Sequence, residues 1–266
     1  MLEIKNVYKT FNAGTVNEKL ALRDLNLTLN DGDFVTVIGG NGAGKSTMLN
    51  IISGKYIPDS GSVVLDGIDV TKMPEHKRAK YLGRVFQDPM MGTAANMWIE
   101  ENLALALRRG ARRGLKWGIS NRERELFREE LAKLDLGLES RLSTKVGLLS
   151  GGQRQAVTLL MATLQKPKLL LLDEHTAALD PKTAAKVLKL SQEIVEAHAL
   201  TTLMITHNMK DAIAYGNRLI MMDDGHIVLD ISGEEKKHLT VKDLLDRFSS
   251  AGGGDAEAND ALLLSK

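Results

Sequence analysis

A glycine-rich run constrains this chain more than any other feature. Gly39-Gly40-Asn41-Gly42-Ala43-Gly44-Lys45-Ser46 lies between an apolar stretch, Phe34-Val35-Thr36-Val37-Ile38, and a helical pattern over 45–53 that Gly54 stops. A buried strand, a tight loop and a helix in that order are the setting in which this pattern binds phosphate. The glycines let backbone N–H groups turn inward around β- and γ-phosphates, and the helix N-terminus adds partial positive charge. Lys45 would neutralise the transferring phosphate, the Ser46 hydroxyl would ligate Mg²⁺, and Thr47 follows. A glycine-rich turn with a chance Lys-Ser is the bland alternative. The pattern arises by accident roughly once per hundred chains of this length, and the flanking strand and helix make accident rarer still.

A second element points to the same chemistry. Leu169-Leu170-Leu171-Leu172-Asp173-Glu174 reads as a buried strand ending in two carboxylates. Such a strand places Asp173 at the C-terminal edge of the sheet, where nucleotide ligands bind. Asp173 would hold Mg²⁺, directly or through water, and Glu174 could polarise an attacking water. Strands often end in acids, so this element carries weight only beside the glycine loop. A third stretch, Leu149-Ser150-Gly151-Gly152-Gln153-Arg154-Gln155, reads as a helix N-terminus with bare N–H groups and a serine hydroxyl, a second phosphate-binding end. Two cradles for one γ-phosphate make sense when they come from different molecules.

Composition narrows the class. Lys+Arg 35 against Asp+Glu 34 gives a net charge of +1, which is no basic footprint for nucleic acid. The absence of cysteine removes disulfides, thiolate metal sites and a cysteine nucleophile. The longest strictly apolar run, 169–172, is far short of the ~20 residues of a membrane span, and the alternating start, Met1-Leu2-Glu3-Ile4-Lys5, is not a secretory signal.

Strand patterns over 2–7, 21–29, 33–38, 62–65, 68–70 and 82–86 precede a stretch from Thr93 to Ser143 where long helical patterns dominate. Ser120-Asn121-Arg122-Glu123 is a capping box. Arg108, Arg109, Arg112 and Arg113 form a basic connector, read as a solvated turn in preference to an anion site. Strands over 169–172 and 202–205, a helix opened by Asp180-Pro181, a hairpin across Asp223-Asp224-Gly225 and a helix capped at Thr240 complete the reading.

These motifs in this order resemble the ABC ATPase family, whose identifying motif is the Leu-Ser-Gly-Gly-Gln found at 149–153, and the resemblance covers about residues 2–248. It implies an α/β fold: a P-loop nucleoside triphosphatase core with a mainly parallel sheet, an N-terminal antiparallel β subdomain and an inserted α-helical subdomain over about 93–165. Residues 1–248 would form one ATPase domain, with 249–266 a flexible tail. Residue by residue, Gln87 matches the glutamine that touches Mg²⁺ and the water, Asp180 the loop that crosses the dimer, and His207 the histidine that contacts the γ-phosphate. Phe11 matches the aromatic that stacks on adenine, with Tyr8 the competitor. Gly39, Asn41, Gly42, Ala43, Gly44, Lys45, Ser46 and Thr47 would bind ATP, while Ser150, Gly151, Gly152, Gln153 and Asp180 would bind it in trans. Position 175 is His where the family commonly has Pro. A harmless variant is preferred there over a mobile loop or an added titrating group.

The resemblance implies ATP and Mg²⁺ as cofactors, a second copy of the chain, separate transmembrane permease subunits, an extracytoplasmic solute-binding protein, no nucleic acid, and a place at the cytoplasmic face of the cell membrane. Segments 86–92 and 173–180 are similar to ATPases of bacterial importers of amino acids or related small solutes. Exporter subunits also use short separate ATPase chains, and relatives in translation or DNA repair carry a second ATPase half or a long insertion. Met90, Met91, Met97 and Trp98 are expected to meet the permease, the alternative being the insert's own core.

Overall fold

Alternating apolar residues make the front of the chain β. The computed structural model describes residues 1–111 and 118–250. It begins with β1 (Leu2–Phe11), β2 (Lys19–Leu29), β3 (Phe34–Ile38), α1 (Lys45–Ser53), β4 (Ser60–Leu65), β5 (Ile68–Asp69) and the short α2 (Glu75–Arg78). Next come β6 (Leu82–Val85), α3 (Ile99–Leu107), α4 (Asn121–Ala132), a 3₁₀ turn at Val146–Leu148, α5 (Gly151–Thr163), β7 (Leu169–Asp173) and α6 (Pro181–His198). The described chain closes with β8 (Thr202–Ile205), α7 (Met209–Ala214), β9 (Arg218–Asp223), β10 (His226–Ser232), α8 (Gly233–Lys237) and α9 (Val241–Ser250). Two compact units result: Met1–Arg78 with the chain from Ala199 on, and Ala79–His198.

In the first unit Leu2, Ile4 and Val7 point inward from β1, with a bulge between Ile4 and Val7 where Lys5 and Asn6 are both exposed. β1 pairs antiparallel with both β2 and β4, and β4 with β5. All five residues of β3 are buried. That strand lies between parallel neighbours β8 and β9, with Val37 opposite Ile205 on one side and Ile220 on the other. β10 closes this side antiparallel to β9, across the turn at Asp223-Asp224-Gly225 that its sequence predicts. Ile38, Met209, Leu219, Ile231, Leu244 and Phe248 pack as one core behind these strands.

Buried Arg78 ties the unit together. Its guanidinium donates to the carbonyls of Met73 (2.7 Å), Ile51 (2.6 Å), Ile52 (3.0 Å) and Thr71 (3.0 Å). Ile51 and Ile52 lie in the last turn of α1, where carbonyls lack i+4 donors; the Gly54 N–H reaches Ile51 (3.1 Å), and the arginine completes the C-terminal cap from α2.

In the second unit β6 and β7 pair in parallel, Leu82 opposite Leu169. Ile99, Leu103, Phe127, Leu131, Val157 and Leu160 make the helical core. Long helices over 93–143 are corrected: the described helices are α3 and α4, and 133–145 is mostly turns before the 3₁₀ turn. The basic connector is also corrected. Arg108 donates to the Gly118 carbonyl (2.6 Å) and pairs with Glu123 (2.7 Å), and Arg109 donates to the Ala162 carbonyl (3.1 Å). Both are anchors of α3 onto neighbouring segments instead of solvated charges; Arg112 and Arg113 lie outside the described residues, as does the tail beyond Ser250. No helix among the described residues is long and apolar enough to cross a membrane.

Candidate nucleotide site

The glycine loop follows β3 directly. At Gly39, φ is +151° and a Cβ would stand 2.2 Å from the Met222 carbonyl oxygen of β9, so the backbones approach too closely for any side chain. The loop turns over its own lysine: buried Lys45 donates from Nζ to the carbonyls of Gly39 (2.8 Å) and Gly40 (2.9 Å). The ammonium is thereby held under the loop. No side chain caps α1 at Gly44 and its first turn has no acid, which keeps the positive helix end for an anion. Asn41, Gly42 and Ser46 are exposed, and Thr47 is half-buried beside them. An uncapped helix start, inward glycines and a sequestered lysine fit a nucleotide's phosphates.

Two neighbours of the loop come from other strands of this unit. β8 runs parallel to β3, and Thr206 donates to the Val37 carbonyl (3.1 Å). His207 therefore leaves the sheet at the same end as the loop, the edge at which such sheets bind ligands. Phe11 ends β1 half-buried, edge-on to Tyr56 with ring centroids 5.2 Å apart. Opposite Phe11 on β2 is Lys19, whose Nζ would lie 3.1 Å from a Cβ on Gly42. The aromatic end of β1 thus stands one strand from the loop. Sequence reading missed Lys19 and Tyr56, because only the β1–β2 register and the β1 end-packing bring them there.

The second unit holds the remaining motif residues. Asp173 ends β7 and Gln87 follows the end of parallel β6, so register brings the two to one sheet edge. Glu174 next to them has φ +47°, a left-handed conformation that costs about 1–2 kcal/mol for a residue with a side chain. The following residue explains how that conformation is held. His175 is buried, and its Nε2 lies 2.9 Å from Ser191 Oγ on α6. The serine hydroxyl donates to the Val187 carbonyl (2.8 Å), so the imidazole nitrogen is the donor in the first bond. Burial pushes the His175 pKa down to about 4, which keeps the ring neutral near pH 7. His175 is therefore a packing anchor between the 174–180 loop and α6.

Ser150 begins α5. Its Oγ accepts from the Gln153 N–H (3.3 Å), and its own N–H donates to Gln153 Oε1 (3.2 Å). The bare helix start expected here is corrected: a capping box already occupies the hydroxyl and the amide of Gln153. Gly152 is buried with Thr183 Cγ2 only 2.1 Å from where its Cβ would be, whereas Gly151 is exposed. The Thr183 N–H in turn donates to Asp180 Oδ1 (3.1 Å), and hydrogen bonds from the Thr183 side chain and backbone hold the Asp180 carboxyl below the usual range. Thr183 thus links the Ser150 helix to the Asp180 loop. Arg154, one turn into α5, is buried and donates to the Val146 carbonyl (2.9 Å from Nη2), fixing the turn that precedes Ser150. Met90, Met91 and Trp98 are exposed and Met97 is half-buried. The insert's own core does not absorb the first three.

A glycine loop folded over its lysine between parallel strands defines a P-loop nucleoside triphosphatase. The sequence pattern of the ABC transporter family matches residues 22–177, and this chain belongs to that family. It is 46% identical over 251 residues to the tyrosine transport ATP-binding protein of Clostridioides difficile (strain R20291), covering 94% of this chain and 100% of that one. It is 33% identical over 235 residues to the spermidine/putrescine import ATP-binding protein PotA of Haemophilus influenzae (strain ATCC 51907 / DSM 11121 / KW20 / Rd), covering 88% of this chain and 59% of that protein. Among solved structures, a dimeric ATP-binding cassette in a post-hydrolysis state with ADP and Pi bound superposes with a TM-score of 0.73 at 34% identity, over 87% of this chain and 98% of that one. The chain is an ATP-binding, ATP-hydrolysing subunit of an ABC transporter.

Proposed function

We propose that this chain powers a bacterial importer of amino acids or a related small solute, working as a pair of copies beneath separate permease subunits. The loop folded over Lys45 carries the reading, since that arrangement serves a triphosphate. The tyrosine transport relative, matched over its whole length, supports the cargo class. A solute-binding protein outside the membrane and a place at its cytoplasmic face belong to the same reading, which assigns no role to nucleic acid.

In this reading Phe11 stacks on the adenine, the 39–47 segment cradles the phosphates, and Lys45 neutralises the γ-phosphate. Ser150, Gly151, Gly152 and Gln153, with Asp180, close on the nucleotide of the other copy. The Ser46 hydroxyl, the Gln87 amide and the Asp173 carboxylate are hard oxygen donors suited to Mg²⁺. Mg²⁺ relies on substrate phosphates and one or two protein side chains. Bound Mg²⁺ would supply charge neutralisation on the phosphate oxygens. Glu174 accepts a proton from the attacking water, and His207 hydrogen-bonds the γ-phosphate as charge shifts toward the leaving group.

Glu174→Gln tests the assignment. The amide preserves shape but cannot take the proton, so turnover falls by at least about two orders of magnitude while ATP binding persists and the ATP-bound dimer accumulates on size exclusion. Near-normal hydrolysis by the variant rejects Glu174 as the base.

A further inference from the structure

One charged pair in the second unit has no place in the scheme above. Arg84 sits inside the otherwise apolar strand β6, opposite Leu171 of β7. Side chains two apart on a strand share a face, so Arg84 and Phe86 stand beside Leu171 and Asp173. Arg84 Nη2 reaches Asp173 Oδ2 at 2.8 Å, and the two side chains are only 14% and 17% exposed. The guanidinium carbon also lies 4.7 Å from the Phe86 ring centroid, a cation–π contact. The Phe86 carbonyl in turn accepts from Gln155 Nε2 (2.9 Å), which pins the end of β6 to α5. The arginine is therefore clamped on one side by a ring and on the other by the carboxylate.

We propose that Arg84 is the resident counter-ion of Asp173: it compensates the carboxylate when no metal is bound and weakens the carboxylate's hold on Mg²⁺ when one is. The proposal rests on the reading of Asp173 as a metal ligand. A carboxylate withdrawn from water is costly without a partner, and Arg84 supplies that partner from the neighbouring strand. The same fixed cation repels a divalent ion drawn to the other carboxylate oxygen and withdraws charge from the donor. The stacking on Phe86 hinders the guanidinium from swinging away to relieve that repulsion. The consequence is an Asp173 that is ordered without metal and releases metal readily with the spent nucleotide, which suits a motor that must reset each cycle.

Mn²⁺ titrated into the full-length protein with ADP, read by the electron paramagnetic resonance signal of free Mn²⁺, tests this without reference to turnover. Arg84→Met removes the charge and keeps the stem; Arg84→Gln, which retains a donor for Asp173, serves if the first variant folds poorly. Either should bind Mn²⁺ about 5–10-fold more tightly than the parent, and Arg84→Lys should stay within about 2-fold of it. Asp173→Asn is the control for the underlying reading and should weaken Mn²⁺ by at least about 10-fold. If Asp173→Asn weakens the ion but neither neutral Arg84 variant tightens it, the counter-ion proposal is wrong while the ligand assignment stands. If Asp173→Asn leaves the affinity unchanged, the ligand assignment fails and takes the proposal with it.

Discussion

Replacing Gly152 by alanine adds one methyl group directly against Thr183. The new Cβ would fall 2.1 Å from Thr183 Cγ2, well inside van der Waals contact, and Gly152 is buried. The obstacle is a β-branched side chain on the first turn of α6, so relief requires Thr183 to leave its rotamer or that turn to shift away from α5. Overpacking of this kind costs about 1–3 kcal/mol. Thr183→Ser removes the offending methyl; the next atom is Thr183 Cβ at 3.6 Å, an ordinary contact. Urea unfolding of the nucleotide-free protein should therefore show Gly152→Ala destabilised by about 1–3 kcal/mol and the Gly152→Ala/Thr183→Ser pair restored to within about 0.5 kcal/mol of Thr183→Ser alone. Either movement disturbs the residue whose N–H Asp180 Oδ1 accepts, so the single variant should also lose ATPase activity. Parent-like stability in Gly152→Ala, or no recovery in the double variant, refutes the packing argument.

Two further outcomes concern buried polar side chains. Arg78→Met removes the guanidinium donor from the Met73, Ile52 and Thr71 carbonyls, while Ile51 keeps the Gly54 N–H, and should cost about 2–4 kcal/mol in urea unfolding. Arg78→Lys should not restore it, because one ammonium cannot span α1 and the 71–73 segment at once. His175 has a native pKa of about 4 against an ordinary 6.5, so the unfolded chain binds the proton first as pH falls. Its contribution is complete above pH 6.5 and is lost progressively toward pH 4, by about 2 kcal/mol at pH 5. The difference in unfolding free energy between the parent and His175→Asn should shrink by that amount between pH 7.5 and pH 5, and superimposable pH profiles would exclude a buried neutral histidine.

The sequence alone determined the elements whose signals are local. The helix over 45–53 with its glycine stop coincides with α1, the capping box at Ser120 forms as its spacing predicts, and the turn at Asp223-Asp224-Gly225 joins β9 to β10. Each depends on residues within about one turn of one another, so the order of motifs was enough to recognise the family. Short elements without such signals were not legible. α3 begins after Trp98, no ordinary capping residue, although Glu101 accepts the Trp98 N–H (2.7 Å). The partners of the motif residues were hidden as well. Arg84 reads as one residue of the 82–86 strand until the β6–β7 register places it against Asp173. His175 reads as a substitution in a loop until α6 brings Ser191 to its ring, and Gly152 as a phosphate-loop glycine until Thr183 is found beneath it. Chain-local hydrogen bonds and glycine conformations are written in adjacent residues, whereas these contacts exist only once strand register and helix packing have brought distant residues within a few ångströms.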